Sequence, residues 1–457
     1  MTSASSKDRP SRGFPKILGV RWFNVAVLAA APALWIFGLF FVPLTRKTLV
    51  FACAYYLFSM FGITAGAYAF SLLPASRFLI ASRCTGFHRL WAHRSYNATL
   101  PLRVFLILGG TSAVQGSCYW WGRGHRSHHR WTDTDSDPYD SSRGLLWTHV
   151  GWLLFKTTLR TGHSEASDLA KDPLVMWNHR NYFSLVALFG LVVPAVIPAL
   201  WGDFWGGLCY SAGARLAVAH HCTFAINSIA HYLGETPYDD ELSPRDHVLS
   251  GKFTALYSVR DLIVLFAAIL TMGEGYHNFH HQFPTDYRNA IGFWQYDPTK
   301  WFIATCKMLG LASNLRAFPS NEISKGALTM KLKDAKQLQD AIRWPPTRET
   351  LPVLSWAEVH EAATKKPLIV VSGFVHDVSG FINEHPGGPT LLTSNSGKDM
   401  SAAFFGGVYK HSNAAHNMMS MMRVAVVVEA GELSDDRTIP PSQRLFVAAR
   451  SCDAAGR

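Results

Sequence analysis

The stretch GRGHRSHHRWTDTDSDPYD places His125, His128 and His129 at i, i+3 and i+4, positions that share one face of a helix. Two other windows echo it: His88 and His93 in HRLWAHRS, and His277, His280 and His281 in GEGYHNFHHQFP. With His231 in NSIAH, nine of the chain's 20 histidines fall in four short, apolar-flanked windows. Neutral imidazole suits Zn, Cu, Fe and Ni; nine ligands are too many for one ion and suit two. A structural zinc usually recruits cysteine, and the sequence has no CxxC pair. A lone HxxxxH reads as readily as two solvated loop residues. Three boxes, two of them HxxHH, favour a metal site.

The surrounding composition is that of a membrane protein. Hydrophobic residues make up 48% of the 457, with 29 Phe, 15 Trp and 15 Tyr, which is rich for a soluble chain. Lys and Arg number 43 against 32 Asp and Glu, a formal charge of +11. No nucleic-acid motif accompanies that surplus. Lipid headgroups, a phosphate-bearing substrate and positive-inside bias account for it better. The seven cysteines are scattered in mostly apolar runs and read as small buried residues rather than disulfides.

The elements that must position the histidines follow in order. Residues 1–21 are polar and basic, a cytosolic tail rather than a signal peptide. WFNVAVLAAAPALWIFGLFFVP (22–43) is long enough to cross a bilayer, and LVFACAYYLFSMFGITAG follows after the short turn LTRKT. Five basic residues before the first span against two in the turn put the N-terminus in the cytosol, and the hairpin returns the chain there carrying His88. PLRVFLILGGTSAVQGSC (101–118) is apolar, but a crossing there would put the first two boxes in different compartments. It is read as buried or re-entrant. Residues 182–201 form a third span, and 205–226 a weaker fourth containing Arg215, His220 and His221, whose charges should face the protein interior. Asp133, Asp135 and Asp137 are either metal ligands or, the favoured reading, turn-forming carboxylates.

HRLWAHRSYNA, HRSHHRWTDTDSDPY, NSIAHYLG and GEGYHNFHHQFPTDYRNAI resemble the boxes of the membrane-bound acyl-CoA Δ9 desaturases, the stearoyl-CoA desaturase family, over roughly residues 20–315. The resemblance implies a diiron site held by His88, His93, His125, His128, His129, His231, His277, His280 and His281, with Asn227 contributing through a water. It also implies a saturated acyl-CoA substrate, whose phosphates should meet basic residues. Arg123 and Lys156 are the matched candidates, with lipid-facing surface charge as the alternative. Two blocks depart from the family pattern, roughly residues 67–86 and 251–267. The second opens Gly-Lys-Phe, which GGT-AAG-TTT encodes with a consensus-like splice donor inside it. Both blocks read as translated introns, with genuine lineage-specific insertion as the alternative. The form lacking both should therefore complement a strain auxotrophic for unsaturated fatty acids better than the full chain. Transcript reads running through both blocks, with higher activity of the undeleted protein, would overturn that reading.

Residues 316–345 read as a linker, polar and largely helical, ending at Pro345 and Pro346. Residues 346–430 then have the composition of a small soluble domain, and 431–457 form a C-terminal tail. Ser355 and Glu358 form a capping-box pattern, and PLIVVSGFVHDVS reads as two short strands. FINEHPGGP, followed by HSNAAHNMM, resembles cytochrome b5, whose haem is gripped by two histidines. That resemblance carries over to His385 and His411, with His416 as the weaker alternative for the second ligand.

The fold expected is mainly α: a four-span helical membrane desaturase with a cytosolic histidine-box cap, plus a small α+β cytochrome b5-like haem domain. The expected cofactors are two Fe ions and haem b, with O2 as co-substrate. Removing two hydrogens from an unactivated methylene pair needs an oxidant generated from O2 at iron, two electrons and a dry channel. The sequence has parts for each. Neither GxGxxG nor another flavin signature appears, so electrons should originate in NADH through a separate flavin reductase. The expected setting is the endoplasmic reticulum membrane, with both termini and the active site cytosolic. Two other readings stay open: a membrane hydroxylase using the same histidine chemistry, and a non-enzymatic membrane-tethered haem carrier. Product mass separates the first and iron per haem the second.

Overall fold

The computed structural model describes residues 11–64, 87–246, 269–405 and 411–428. Both departing blocks, 67–86 and 251–267, lie outside the described residues. The chain divides into two compact units, Met1–Ala335 and Lys336–Arg457, and the division falls within the 316–345 stretch.

In the first unit, strand β1 (Ile17–Val20) leads into α1 (Trp22–Phe41) and α2 (Arg46–Thr64). A π-helical turn, Phe87–Ala92, carries His88. Strand β2 (Asn97–Ala98), α3 (Leu100–Ser112), α4 (Cys118–Trp131) and β3 (Phe155–Thr157) follow, β3 pairing antiparallel with β1. Next comes the helical run α5 (Tyr182–Ala199). The π-helical segment Gly207–Ala214 continues without a break into α6 (Arg215–Tyr232). The unit then forms α7 (His277–Gln282), α8 (Pro298–Met308) and β4 (Ala312–Ser313), which pairs with β2. Helix α9 (Ser320–Ala341) leads out of it.

Among the described residues, α1, α2 and α5 are long and apolar enough to cross a membrane, with mean hydropathies of 2.0, 1.3 and 2.1. Phe40 and Phe41 of α1 are exposed, as suits a helix apolar all round and bathed in lipid. Helix α3 has 13 residues, too few to span, since about 20 are needed. It packs instead on α2, where a Cβ on Gly62 would collide with the Gly110 backbone. The expected fourth span is helical but more polar, and its charges divide. Arg215 is buried and donates to Ser59 Oγ (2.8 Å), Ser112 O (2.9 Å), Gly190 O (3.0 Å) and Ser211 O (2.8 Å). His220 is buried against Ala113 O. His221, by contrast, faces outward on the same helix, beside His149 at 3.1 Å. Because Arg215 fastens α2, α3 and α5 through neutral acceptors alone, Arg215→Ala strands buried oxygens on all three. It should cost about 3 kcal/mol, read as a lowered thermal unfolding midpoint in detergent.

The first box is anchored by its own apolar neighbours. Phe87, Leu90 and Trp91 are fully buried with Leu106 and Ile107 of α3 and Ile303 of α8, so the turn holding His88 is part of the main core of the unit.

The second unit is a four-stranded sheet in the order β5 (Val353–Leu354), β8 (Arg423–Val427), β7 (Phe374–Asp377), β6 (Leu368–Val371). Period-two alternation splits β6 between two cores. Leu368 and Val370 pack with Val359 of α10 (Trp356–Lys365), whereas Ile369 and Val371 pack with Val378 and Leu392. Ser355 and Glu358 form the capping box that opens α10. Short helices α11 (Pro389–Thr393) and α12 (Ser401–Phe404) precede α13 (Asn413–Met421) on the haem-motif side.

Candidate metal centre

Helix α4 begins where Ser117 accepts from Trp120 N, satisfying an otherwise unpaired donor of its first turn. Its far end presents His125, His128 and His129. Helix α7 presents His277, His280 and His281, α6 presents His231, and the buried turn and its exit present His88 and His93. The nine imidazoles meet in two groups. His88, His93, His125 and His280 offer nitrogens within 4.8 Å of one another, as do His128, His231, His277 and His281. His129 joins the first group, with Nε2 3.1 Å from that of His125 and 3.0 Å from that of His280. In the same group the Nε2 atoms of His88 and His280 stand 3.1 Å apart, and those of His93 and His125 2.8 Å. The second group closes through His231 and His277 at 3.1 Å and His128 and His281 at 3.3 Å.

Such crowding fits a metal ion. A neutral imidazole offers one N–H and one lone pair, so five converging Nε2 atoms cannot all be satisfied by hydrogen bonds to each other. Burial first, and the neighbouring imidazoles next, hold His93, His125, His129, His280, His281 and His231 well below the ordinary histidine range. They are therefore neutral at pH 7, the state in which imidazole binds a metal.

Behind the convergent nitrogens stand acceptors for the opposite ring atom. His128 Nδ1 donates to Asp137 at 2.9 Å, and His231 Nδ1 is 2.7 Å from Ser243 Oγ, which in turn bonds Asp133 at 2.5 Å. Such partners fix tautomer and ring orientation. Asp137 also accepts from the backbone of Asp133 and Tyr139, so it is turn-former and histidine partner together. Asp135 pairs at the surface with Arg12 and Arg143. The Asp246 carboxylate accepts from Asn278 N and Phe279 N at the start of α7, and burial pushes it up to about 7. Neither Ser243 nor Asp246 is marked by a local motif: Ser243 meets His231 across a loop, and Asp246 meets backbone amides of α7 that lie more than 30 residues along the chain.

A cleft of about 1610 Å³ opens beside the clusters. His88, His125, His128, His277 and Asn227 line it, together with Met60 and Ile63 of α2, Val186 of α5 and Phe224 of α6. Asn227 precedes His231 by one turn of α6. Arg123 and Lys156 also line the cleft, both exposed, as do Arg21 and Arg160, which no sequence motif ties to the site.

A family model described as fatty acid desaturase matches residues 63–313, more than half of the chain. The chain belongs to the fatty acid desaturase family. A second model, the cytochrome b5-like heme/steroid binding domain, matches residues 355–428. Among curated relatives, the chain is 42% identical to a probable acyl-CoA desaturase of Schizosaccharomyces pombe, over 89% of this chain and 78% of that one. It is 40% identical to acyl-CoA desaturase 1 of Saccharomyces cerevisiae, over 90% and 74%. To the stearoyl-CoA desaturase of Sus scrofa it is 34% identical, over 68% and 77%. This desaturase is an integral membrane protein by its apolar helices and its relatives. Membership of the family implies iron-dependent catalysis, and the cytochrome b5 domain implies haem.

In that domain the desaturase holds His385 Nδ1 3.1 Å from Gly388 O and His411 Nδ1 2.9 Å from Phe404 O. A carbonyl only accepts, so each Nδ1 carries the hydrogen and each Nε2 the lone pair a haem iron needs. Gly388 sits at φ +86, where a side chain is strained. The His411 ring stacks on Phe404 at 4.3 Å, and His416 meets the same ring edge-on at 4.7 Å. Leu392, Phe381, Met400, Met419 and Met422 belong to one apolar cluster with Phe404, a donor set and surface suited to a porphyrin.

Proposed function

We propose that this desaturase introduces a cis double bond at Δ9 of a saturated fatty acyl-CoA, in unsaturated fatty acid biosynthesis. The observation that carries the reading is the convergence of nine imidazoles in two groups beside a largely apolar cleft. His88, His93, His125, His129 and His280 would hold one iron and His128, His231, His277 and His281 the other, with Asn227 reaching the second through a water. When bound, the two irons and O2 supply an oxidant strong enough for an unactivated methylene pair.

The chain's own residues do the rest. Met60, Ile63, Val186 and Phe224 offer the acyl chain an apolar wall that excludes water. Arg123 and Lys156 would take the CoA phosphates outside it, with Arg21 and Arg160 adding charge on the same cleft. Asp137 and Ser243 engage Nδ1 of His128 and His231, which leaves each Nε2 lone pair free for the iron these residues would hold. His385 and His411 would together hold the haem, which would supply electron transfer to the first unit rather than O2 binding. Covalent fusion replaces a diffusional encounter by a high effective concentration. The electrons come from NADH through a separate flavin reductase. The protein sits in the endoplasmic reticulum membrane, with both termini and the active site on the cytosolic side.

The test is turnover of stearoyl-CoA or palmitoyl-CoA by the purified full chain with NADH, O2 and a cytochrome b5 reductase. The product should lose two hydrogens and cleave at carbon 9 on ozonolysis. A product that gains oxygen instead makes the enzyme a hydroxylase.

A further inference from the structure

Behind His88 lies a buried charge network that the chemistry above leaves unused. Arg89, fully buried, donates to Asp297 through both terminal nitrogens (3.0 and 2.9 Å), to Glu274 Oε1 (3.1 Å) and to Tyr287 O (2.9 Å). Asp297 is the N-cap of α8, accepting from Lys300 N, and it also accepts from Asn289 N. The second oxygen of Glu274 accepts from Asn289 Nδ2 at 2.8 Å and stands 3.3 Å from His88 Nδ1. His88 Nδ1 is buried and has no closer polar partner, while its Nε2 faces His280.

We infer that Glu274, held by Arg89, which Asp297 in turn grips, is a positioning residue for the first imidazole group: it sets the His88 tautomer whose Nε2 can bind metal, and it ties the first histidine box to the third. The inference rests on reading these imidazoles as iron ligands. A carboxylate only accepts, so its neighbour at Nδ1 must be an N–H, and the lone pair is left on Nε2. Arg89 donates to one Glu274 oxygen and Asn289 Nδ2 to the other, so the carboxylate is held as an acceptor. The bidentate guanidinium fork explains why arginine occupies position 89. Asp137 does for His128 what Glu274 does for His88. Glu274 differs in being locked to the residue that follows its own histidine, so the box-one turn and the α7 segment are registered to each other directly.

The experiment compares the purified full chain with Glu274→Gln and Asn289→Ala, measuring iron per haem and unfolding temperature. Gln presents an amide donor to Nδ1, which drives the proton to Nε2 and turns the ligand atom into a donor. Non-haem iron should fall from about two to about one per haem in Glu274→Gln. Asn289→Ala removes a hydrogen bond to the same carboxylate without touching His88, so it should lower the unfolding temperature and keep both irons. Wild-type protein without non-haem iron defeats the metal reading itself. Wild-type protein with two irons and Glu274→Gln with two irons overturns the positioning role, as does equal iron loss in both variants. If Glu274→Gln yields no folded haem-bearing protein, Arg89→Lys decides. It keeps the charge and loses the fork, and retention of both irons there also overturns the role.

Discussion

His280→Ala should purify with its haem band intact, with less iron, and without desaturase activity. His280 Nε2 lies 3.1 Å from that of His88 and 3.0 Å from that of His129, so it touches two other members of its group. Truncation opens a coordination position and lets water into a buried site. A loss of about a thousandfold in turnover, roughly 4 kcal/mol of barrier, is the expected result. His129→Ala, which breaks contacts to His125 and His280, should match it. His221→Ala supplies the control, since His221 shares α6 with His231 but faces outward, and it should keep its iron. Substantial desaturation by His280→Ala or His129→Ala removes that residue from the metal site.

The other large effect is confined to the second unit. His385→Ala should abolish the bis-imidazole haem spectrum of the full chain, because one axial ligand is gone and Gly388 O has lost its donor. NADH-supported desaturation should fall about a hundredfold and recover when a soluble cytochrome b5 is added in excess, since a bimolecular donor then replaces the tethered one. The iron of the histidine clusters should be unchanged. A retained bis-imidazole spectrum shows that His385 is not a ligand. Comparing His411→Ala with His416→Ala by the same spectrum decides between the two candidates for the second axial position.

Much of this protein is written in short-range pattern. The spans α1, α2 and α5 follow from unbroken apolar length, and α4 from the i, i+3, i+4 spacing of its histidines. The strands β6 and β7 and the Ser355 capping box follow from alternation and from a four-residue motif. HPGG with a later histidine marks the haem domain. Such features are legible because each depends on residues close together in the chain. The stretch expected as a fourth span was legible as a helix but not in detail: that Arg215 and His220 turn inward while His221 turns out is set by which neighbours α6 packs against.

What tertiary structure alone decided is the division of labour among the nine histidines. His128 and His129 are adjacent in sequence, yet His128 joins His231, His277 and His281 while His129 joins the group of His88, His93, His125 and His280. His280 and His281 part company in the same way. Successive residues on a helix point about 100° apart, so neighbours in a box cannot face one ion. Which group each one meets depends on how α4 and α7 are set against each other. The same holds for the residues that aim them. Asp137 was visible as a turn-former, but Glu274 meets Arg89 and Ser243 meets Asp133 only when segments more than 100 residues apart fold back together, which sets each beside a ring nitrogen that needs a partner. The residue types and their spacing thus determined the chemistry, whereas packing determined the geometry, because coordination is a property of directions in space and sequence spacing fixes directions only within one helix.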